Sequence, residues 1–248
     1  ASLKTDGTMI INDKFEWGWN GTFASDATYM RKYGLDARTK YHSNIYIEGI
    51  NNKNYASFAA INYRNLLNEV ETPQATLLPR FDHIYSIDLP YFDDITIQTN
   101  LVNTKRDQDD EQLRITNEVS WHERFITNNG IIISPNLSLR NDWINSYDES
   151  DSENTKFNRF SSNISTTIAW PFFDKTSYGK QIIEPKIALG FINKEKTSQD
   201  LLNEDSKTYN FNTLNLFENN KSLGFDRIDS GSRIMVGIDY FLDDLLGG

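Results

Sequence analysis

Two stretches decide the fold: Phe160-Ser-Ser-Asn-Ile-Ser-Thr-Thr-Ile-Ala-Trp-Pro-Phe172 and, shortly after, Gln181-Ile-Ile-Glu-Pro-Lys-Ile-Ala-Leu-Gly-Phe-Ile192. In the first, Phe160, Ile164, Ile168, Trp170 and Phe172 fall on even positions, while Arg159, Ser161, Asn163, Ser165 and Thr167 fall on odd ones. In the second, Ile183, Ile187, Leu189 and Phe191 alternate with Glu184, Lys186, Ala188 and Gly190. A period of two sends successive side chains to opposite faces, so each run is a strand with one apolar and one polar face. Runs of about 10 residues or more are about twice the usual soluble strand and match the length that crosses a bilayer at a tilt.

The alternation recurs along the chain. Phe15, Trp17 and Trp19 oppose Glu16, Gly18 and Asn20; Leu113, Ile115, Val119 and Trp121 oppose Arg114, Thr116, Glu118 and Ser120; Ile234, Val236, Ile238 and Tyr240 oppose Arg233, Gly237 and Asp239. The connectors are of two kinds. Gly49-Ile50-Asn51-Asn52-Lys53-Asn54, Thr127-Asn128-Asn129-Gly130 and the stretch from Asp174 to Gly179 are tight and rich in turn formers. Lys105 to Glu111 and Asn145 to Lys156 are longer and charged, and the longest, 193–230, has no period. Tight turns at one end and long polar loops at the other are the pattern of an outer-membrane barrel. The expected fold is all-β: an antiparallel transmembrane β-barrel, present as roughly 10–11 strands of a larger barrel.

A soluble β-sandwich also alternates, but its second set of side chains forms a dry core. Here Glu118, Arg124, Arg140, Glu184 and Lys186 interrupt the polar runs with charge, which a wet lumen tolerates and a dry core does not. The candidate lumen-facing residues are therefore Lys14, Glu16, Arg64, Arg114, Glu118, Arg124, Arg140, Glu184 and Lys186. Such a set hydrates a lumen, and it also has the chemistry to guide an anionic saccharide or phosphate or to contact a plugging partner.

Composition narrows the function. Lys+Arg 25 against Asp+Glu 35 gives a net charge of −10, which argues against nucleic acid as a partner. No apolar run reaches the roughly 18 residues of a membrane-spanning helix, and a mean hydropathy of −0.58 is compatible with strands of which only alternate residues meet lipid. There are no cysteines. His42, His83 and His122 lack metal-ligand spacing, and Asp148, Glu149, Asp151 and Glu153 read as a solvated acidic loop, so no metal is expected. No nucleophile elbow or P-loop is present, and neither catalysis nor a cofactor is expected. A porin-like passive channel and a soluble β-sandwich binding module are the competing readings.

One segment carries more specific information. Gln181-Ile-Ile-Glu-Pro-Lys186 is followed by Phe211, Leu216-Phe217, Asn220, Gly224, Asp226-Arg227-Ile228 and Gly231, and then by Gly237. With Trp17-Gly18-Trp19, the stretch Ser25 to Tyr29, and Leu77-Leu78-Pro79, this resembles the lipopolysaccharide-assembly outer-membrane protein family, LptD or organic solvent tolerance protein, in its alphaproteobacterial form. Lys221-Ser222 departs from the Arg-Phe of many members. The resemblance implies translocation of lipopolysaccharide into the outer leaflet of a Gram-negative outer membrane through a barrel with a lateral exit. The implied partners are lipopolysaccharide, outer-membrane lipid, an LptE-like plug lipoprotein and a periplasmic lipopolysaccharide bridge reached through a jellyroll domain. It further implies that residues 1–248 are barrel, with the long loop at 193–230, and that the N-terminal jellyroll and the terminal seam strands lie outside this segment. Asp226 and Arg227 either fix the long loop so that it caps or enters the lumen, or make only a local turn contact with no role in transport. If the lumen cations serve export, charge reversal at Arg114, Arg124 and Arg140 lowers surface lipopolysaccharide in cells carrying the full-length protein; unchanged export contradicts that role.

Overall fold

The computed structural model describes the chain except residues 27, 36–37, 39, 66–73, 91, 107–109, 149–152, 177–178, 194–202, 204, 209–211, 213–214 and 245–248. Phe211, Glu149 and Asp151 lie outside the described residues, as do the side chains of Asp148 and Glu153. The strands are β1 (Ser2–Ile10), β2 (Phe15–Ala24), β3 (Lys40–Asn51), β4 (Asn54–Asn65), β5 (Ala75–Leu89), β6 (Phe92–Arg106), β7 (Glu111–His122), β8 (Phe125–Ile126), β9 (Ile132–Asp148), β10 (Glu153–Ala169), β11 (Phe172–Thr176), β12 (Gly179–Ile192), β13 (Lys207–Thr208), β14 (Ser222–Leu223) and β15 (Gly231–Asp244). A one-turn helix, α1 (Tyr29–Lys32), interrupts the β2–β3 connection.

All but β13 and β14 form one 13-stranded antiparallel sheet, ordered β1-β2-β3-β4-β5-β6-β7-β9-β10-β12-β15, with β8 beside β7 on β9 and β11 beside β10 on β12. β7 and β8 pair with β9 in one register, and β10 and β11 pair with β12 in one register, so each couple is a single interrupted strand. Counting them so reduces 13 strands to 11, at the upper end of the sequence expectation. The interruptions have a common cause. Pro135 stands opposite Glu123 in the first gap, and Pro171 and Pro185 both fall in the second. Proline has no N–H to give the ladder. Pro79 likewise sits in the β5 bulge between Leu77 and Arg80. β1 and β15 share no pairing among the described residues, and the sheet is open.

Burial in this sheet is inverted. The fully covered side chains include Arg114, Thr116, Asp142 and Arg159, while Ile45, Phe58, Phe160, Ile164, Leu189, Ile234 and Val236 lie open on the opposite face. A water-soluble sheet this apolar on one exposed side would aggregate; a sheet facing lipid is stable that way round. Near the tight-turn end, Phe15, Tyr85, Phe125, Trp170 and Phe172 are exposed on the same apolar face, as an interfacial aromatic belt. The topology also separates two ends. The β1–β2, β3–β4, β5–β6, β7–β9 and β11–β12 turns are short and lie at one end; the β2–β3, β4–β5, β6–β7, β9–β10 and β12–β15 connections lie at the other.

This exposed apolar face has a direct consequence. The isolated 248-residue chain stays dispersed only in detergent or lipid, and a monodisperse monomer in plain buffer by light scattering contradicts the assignment of the faces.

Candidate functional site

Register across the sheet lines up a polar row. Glu16 pairs with Glu48, Glu48 with Ser57, Ser57 with Asp82, Asp82 with Asn100, Asn100 with Thr116, Thr116 with Asp142, and Asp142 with Arg159. Eight strands from β2 to β10 thus contribute one side chain each to a single line on the polar face. Arg80, Arg114 and Arg140 flank it on the same face, each two residues along its strand from a row position. The last part of the row is buried: Asp142 is 0% exposed, Arg159 2% and Arg114 2%.

Buried charges persist only when every one is partnered. Asp142 accepts from Thr116 Oγ1 at 2.6 Å, Arg140 Nε at 2.8 Å and Arg159 Nε at 2.7 Å. Asp82 accepts from Asn100 Nδ2 at 2.6 Å and Arg80 Nε at 2.7 Å. Further donors of Arg159, Arg140 and Arg114 point at the long loop, and Arg114 also donates to Asn100 Oδ1 at 3.0 Å. Arg159 donates to the carbonyl oxygens of Asp226 at 2.7 Å and Phe225 at 2.8 Å. Arg140 donates to the Phe225 carbonyl, and Arg114 to Asp226 Oδ1 and, at 2.8 Å, to Asp205 Oδ2. The guanidinium groups of Arg114 and Arg140 both lie over the Phe225 ring, 5.1 and 5.2 Å from its centroid, as cation–π contacts. Four arginines (80, 114, 140, 159) face four aspartates (82, 142, 205, 226), and the network is neutral as a whole.

The loop is built to present these groups. The carboxylate of Asp205 accepts from the backbone N–H of Phe225 at 2.9 Å and of Asp226 at 3.1 Å, while the carboxylate of Asp226 accepts from the N–H of Asp205 at 2.9 Å. The β13–β14 pair closes the segment between them. Asn220 Oδ1 accepts from the N–H groups of Ser222 and Asp229, both at 3.2 Å, and ties the descending half of the loop together. Lys221 Nζ, at the position of the family departure, donates to the carbonyls of Asn215 at 2.6 Å and Leu216 at 3.3 Å. Gly224 has φ +84°, and a Cβ there would stand 2.5 Å from the Asp205 carbonyl oxygen, so both backbone shape and space require glycine. Farther along, the loop lies over β10, β12 and β15. Asn219 Nδ2 donates to Asn163 Oδ1 at 2.5 Å, a Cβ on Gly190 would meet Asn219, and a Cβ on Gly237 would meet Phe217 and Leu216. A cavity of about 300 Å³ remains between Asp205–Phe225 and strands β4–β7, lined by Tyr63, Arg80, Asn100 and Arg114.

Electrostatics in the loop follow from this burial. Burial pushes the Asp226 carboxyl above its ordinary value, and neighbouring Asp205 adds to the rise while Arg114 opposes it. Burial also acts to raise Asp205, but the charge and hydrogen bond of Arg114 and the N–H groups of Phe225 and Asp226 outweigh it and hold that carboxyl low.

The structure distributes the sequence-expected residues unevenly. Arg114, Arg140 and Asp226 meet in the network. Glu118 pairs with Arg140 in register and is half-buried beside it. Glu16 begins the polar row, and Lys14 lies in the tight turn before it. Glu184 and Lys186 form a separate ion pair at 2.7 Å, which Asp239 joins at 2.6 Å. Arg124 lies outside the strands, in the gap between β7 and β8. Arg64 is on the other face: it shares the Tyr41 side of the β3–β4 ladder, opposite to Glu48 and Ser57, and donates to the Ala24 carbonyl at 3.3 Å. Arg227 is exposed, and its backbone N–H donates to Ser206 Oγ at 2.9 Å. Phe217 packs over Gly237, and Gly231, with φ +123°, opens β15. Arg159, Asp142, Asp82, Asn100 and Asp205 complete the network without having been singled out.

An open antiparallel sheet with lipid-compatible residues on one face, charge on the other, and its own long loop docked on the charged face defines an outer-membrane β-barrel wall with an internal loop. The chain belongs to the LptD family: the family model described as LPS transport system D matches residues 1–244. No curated protein matches the chain at a significant level. The protein is accordingly an outer-membrane component of lipopolysaccharide transport and assembly.

Removing one partner of a buried ion pair costs about 3–5 kcal/mol. Arg159→Ala and Asp142→Ala in the full-length protein lower the temperature of the folded-to-unfolded gel-mobility shift strongly, whereas Arg124→Ala changes it by less than a loss of about 0.5 kcal/mol would. Gly224→Ala exposes the loop to protease in intact cells; equal protection of mutant and wild type contradicts the assigned strain.

Proposed function

We propose that this segment forms part of the wall of a lipopolysaccharide conduit and that its 203–229 loop is a resident plug. The observation that carries this reading is the docking of the Phe225 and Asp226 carbonyls and the Asp205 and Asp226 carboxylates onto the buried arginines of the polar face. The polar face is the lumen. Its rows of charge and amide groups suit a hydrated saccharide, which exchanges hydrogen bonds with water at little net cost. The apolar face meets lipid, and the acyl chains leave sideways through a separation of barrel strands, never crossing the polar row. The plug narrows the passage to a space bounded by residues such as Tyr63, Arg80 and Asn100, so that the lumen does not conduct small solutes freely. An LptE-like lipoprotein shares the lumen with this loop, and delivery from the periplasmic bridge enters through a jellyroll outside this segment. Lys14, Glu16, Glu184 and Lys186 line the passage away from the docked loop, and Glu118 lines it beside Arg140. A porin-like channel is disfavoured by the same loop, which fills the polar face with its own backbone.

Arg159→Glu places a carboxylate against Asp142 and two carbonyl oxygens. Cells carrying it in the full-length protein are expected to admit large hydrophilic antibiotics and to show less surface lipopolysaccharide. Wild-type impermeability together with wild-type surface lipopolysaccharide would falsify the plug. Depletion of the protein with surface lipopolysaccharide intact contradicts the transport role itself.

A further inference from the structure

The β2–β3 connection has a chemistry unlike every other connection at its end of the sheet. Residues 25–39 hold three basic residues, Arg31, Lys32 and Arg38, against two acidic ones. The other four connections at that end are net acidic: 66–74 has two acidic and no basic residues, 107–110 three and none, 149–152 two and none, and 193–230 seven against five. A basic segment in a chain of net charge −10 requires a reason.

Its placement supplies one. α1 is held against the apolar face: Met30, 5% exposed, packs on Tyr41, which shares its side of β3 with exposed Ile45 and Ile47. Arg38 stacks over the Tyr41 ring at 5.4 Å, and Arg64, on that same face, anchors the end of β2 through the Ala24 carbonyl. Asp26 is exposed, but it accepts from the N–H and hydroxyl of Thr28, so its carboxylate is engaged by the turn. Arg31, Lys32, Tyr33 and Leu35 are exposed. Cations beside tyrosine and leucine at the upper border of a lipid-facing apolar band have the composition of an interfacial anchor. Long connections mark the outer surface of such barrels and tight turns the periplasmic one, so the segment stands at the headgroup level of the outer leaflet.

We propose that α1 and its flanks bind the anionic headgroups of lipopolysaccharide already resident in the outer leaflet, with Arg31, Lys32 and Arg38 as the ligating cations and Tyr33 and Leu35 inserted beside them. The site is distinct from the lumen and rests on the outer-membrane barrel reading. It ties the barrel wall to the leaflet into which lipopolysaccharide is delivered.

The test uses the full-length protein in detergent, with retained lipopolysaccharide counted by native mass spectrometry. Each basic residue near an anionic lipid surface contributes roughly fivefold to binding, so R31Q/K32Q/R38Q weakens retention by about a hundredfold. The charge-preserving R31K/K32R/R38K keeps it, and millimolar inorganic phosphate does not displace it from the wild type. Unchanged retention in the neutral variant overturns the proposal, as does equal loss in the charge-preserving one. Displacement by inorganic phosphate also overturns it, because it identifies a soluble-anion site in place of a lipid surface. None of these outcomes bears on transport, which stands or falls on surface lipopolysaccharide after depletion of the protein.

Discussion

Asp142 is a carboxylate with no exposed surface, and the rest of the polar face is arranged around that constraint. A lone buried charge is prohibitive, so Asp142 takes Thr116 from one neighbouring strand and Arg159 from the other, with Arg140 from its own. Two of those partners are themselves buried cations that Asp142 alone does not satisfy. Their remaining N–H groups need acceptors, and the loop provides them as the carbonyls of Phe225 and Asp226. The docked loop is therefore a requirement of the network, as much as the network is a requirement of the loop. Pulling one away leaves several unpaired charges facing a narrow space.

The two faces of the sheet obey different solvents. Toward lipid, Ile164, Leu189 and Ile234 need no partner, and the backbone is satisfied by the ladder. Toward the interior, side chains are exchanged for hydrogen bonds wherever the loop excludes water. Small residues let that loop approach: Gly190 and Gly237 lie under Asn219 and Phe217. The cost of prolines in the ladder falls where pairing is already interrupted, opposite Glu123 and at the β10–β11 gap.

Much of the fold is legible in the alternation of Phe160–Phe172 and Gln181–Ile192, because a period of two survives any register. Two strands are not marked this way. β1 has few apolar residues to alternate, and β5 changes parity at its Leu78–Pro79 bulge. The Asp226 loop is visible through its resemblance to the family's loop, but its partners are not. Arg159 and Asp142 are set by strand register across β7, β9 and β10, and Asp205 lies in an aperiodic stretch. Arg64 shows the opposite failure. On β4 the inward positions are Ser57, Ala59, Ile61 and Tyr63, so the interior side reads as the apolar one and Arg64 is taken to the wrong face.

The most direct test of a resident loop is a cross-link between Asn163 on β10 and Asn219 in the loop, whose side chains touch. With both changed to cysteine in the full-length protein, mild oxidation of intact cells is expected to join them quickly, while surface lipopolysaccharide stays normal and a membrane-impermeant thiol reagent fails to label either. Free labelling of Asn219→Cys from outside, with no cross-link, would show that the loop stands in solvent and that the buried network is not the resting state of the barrel.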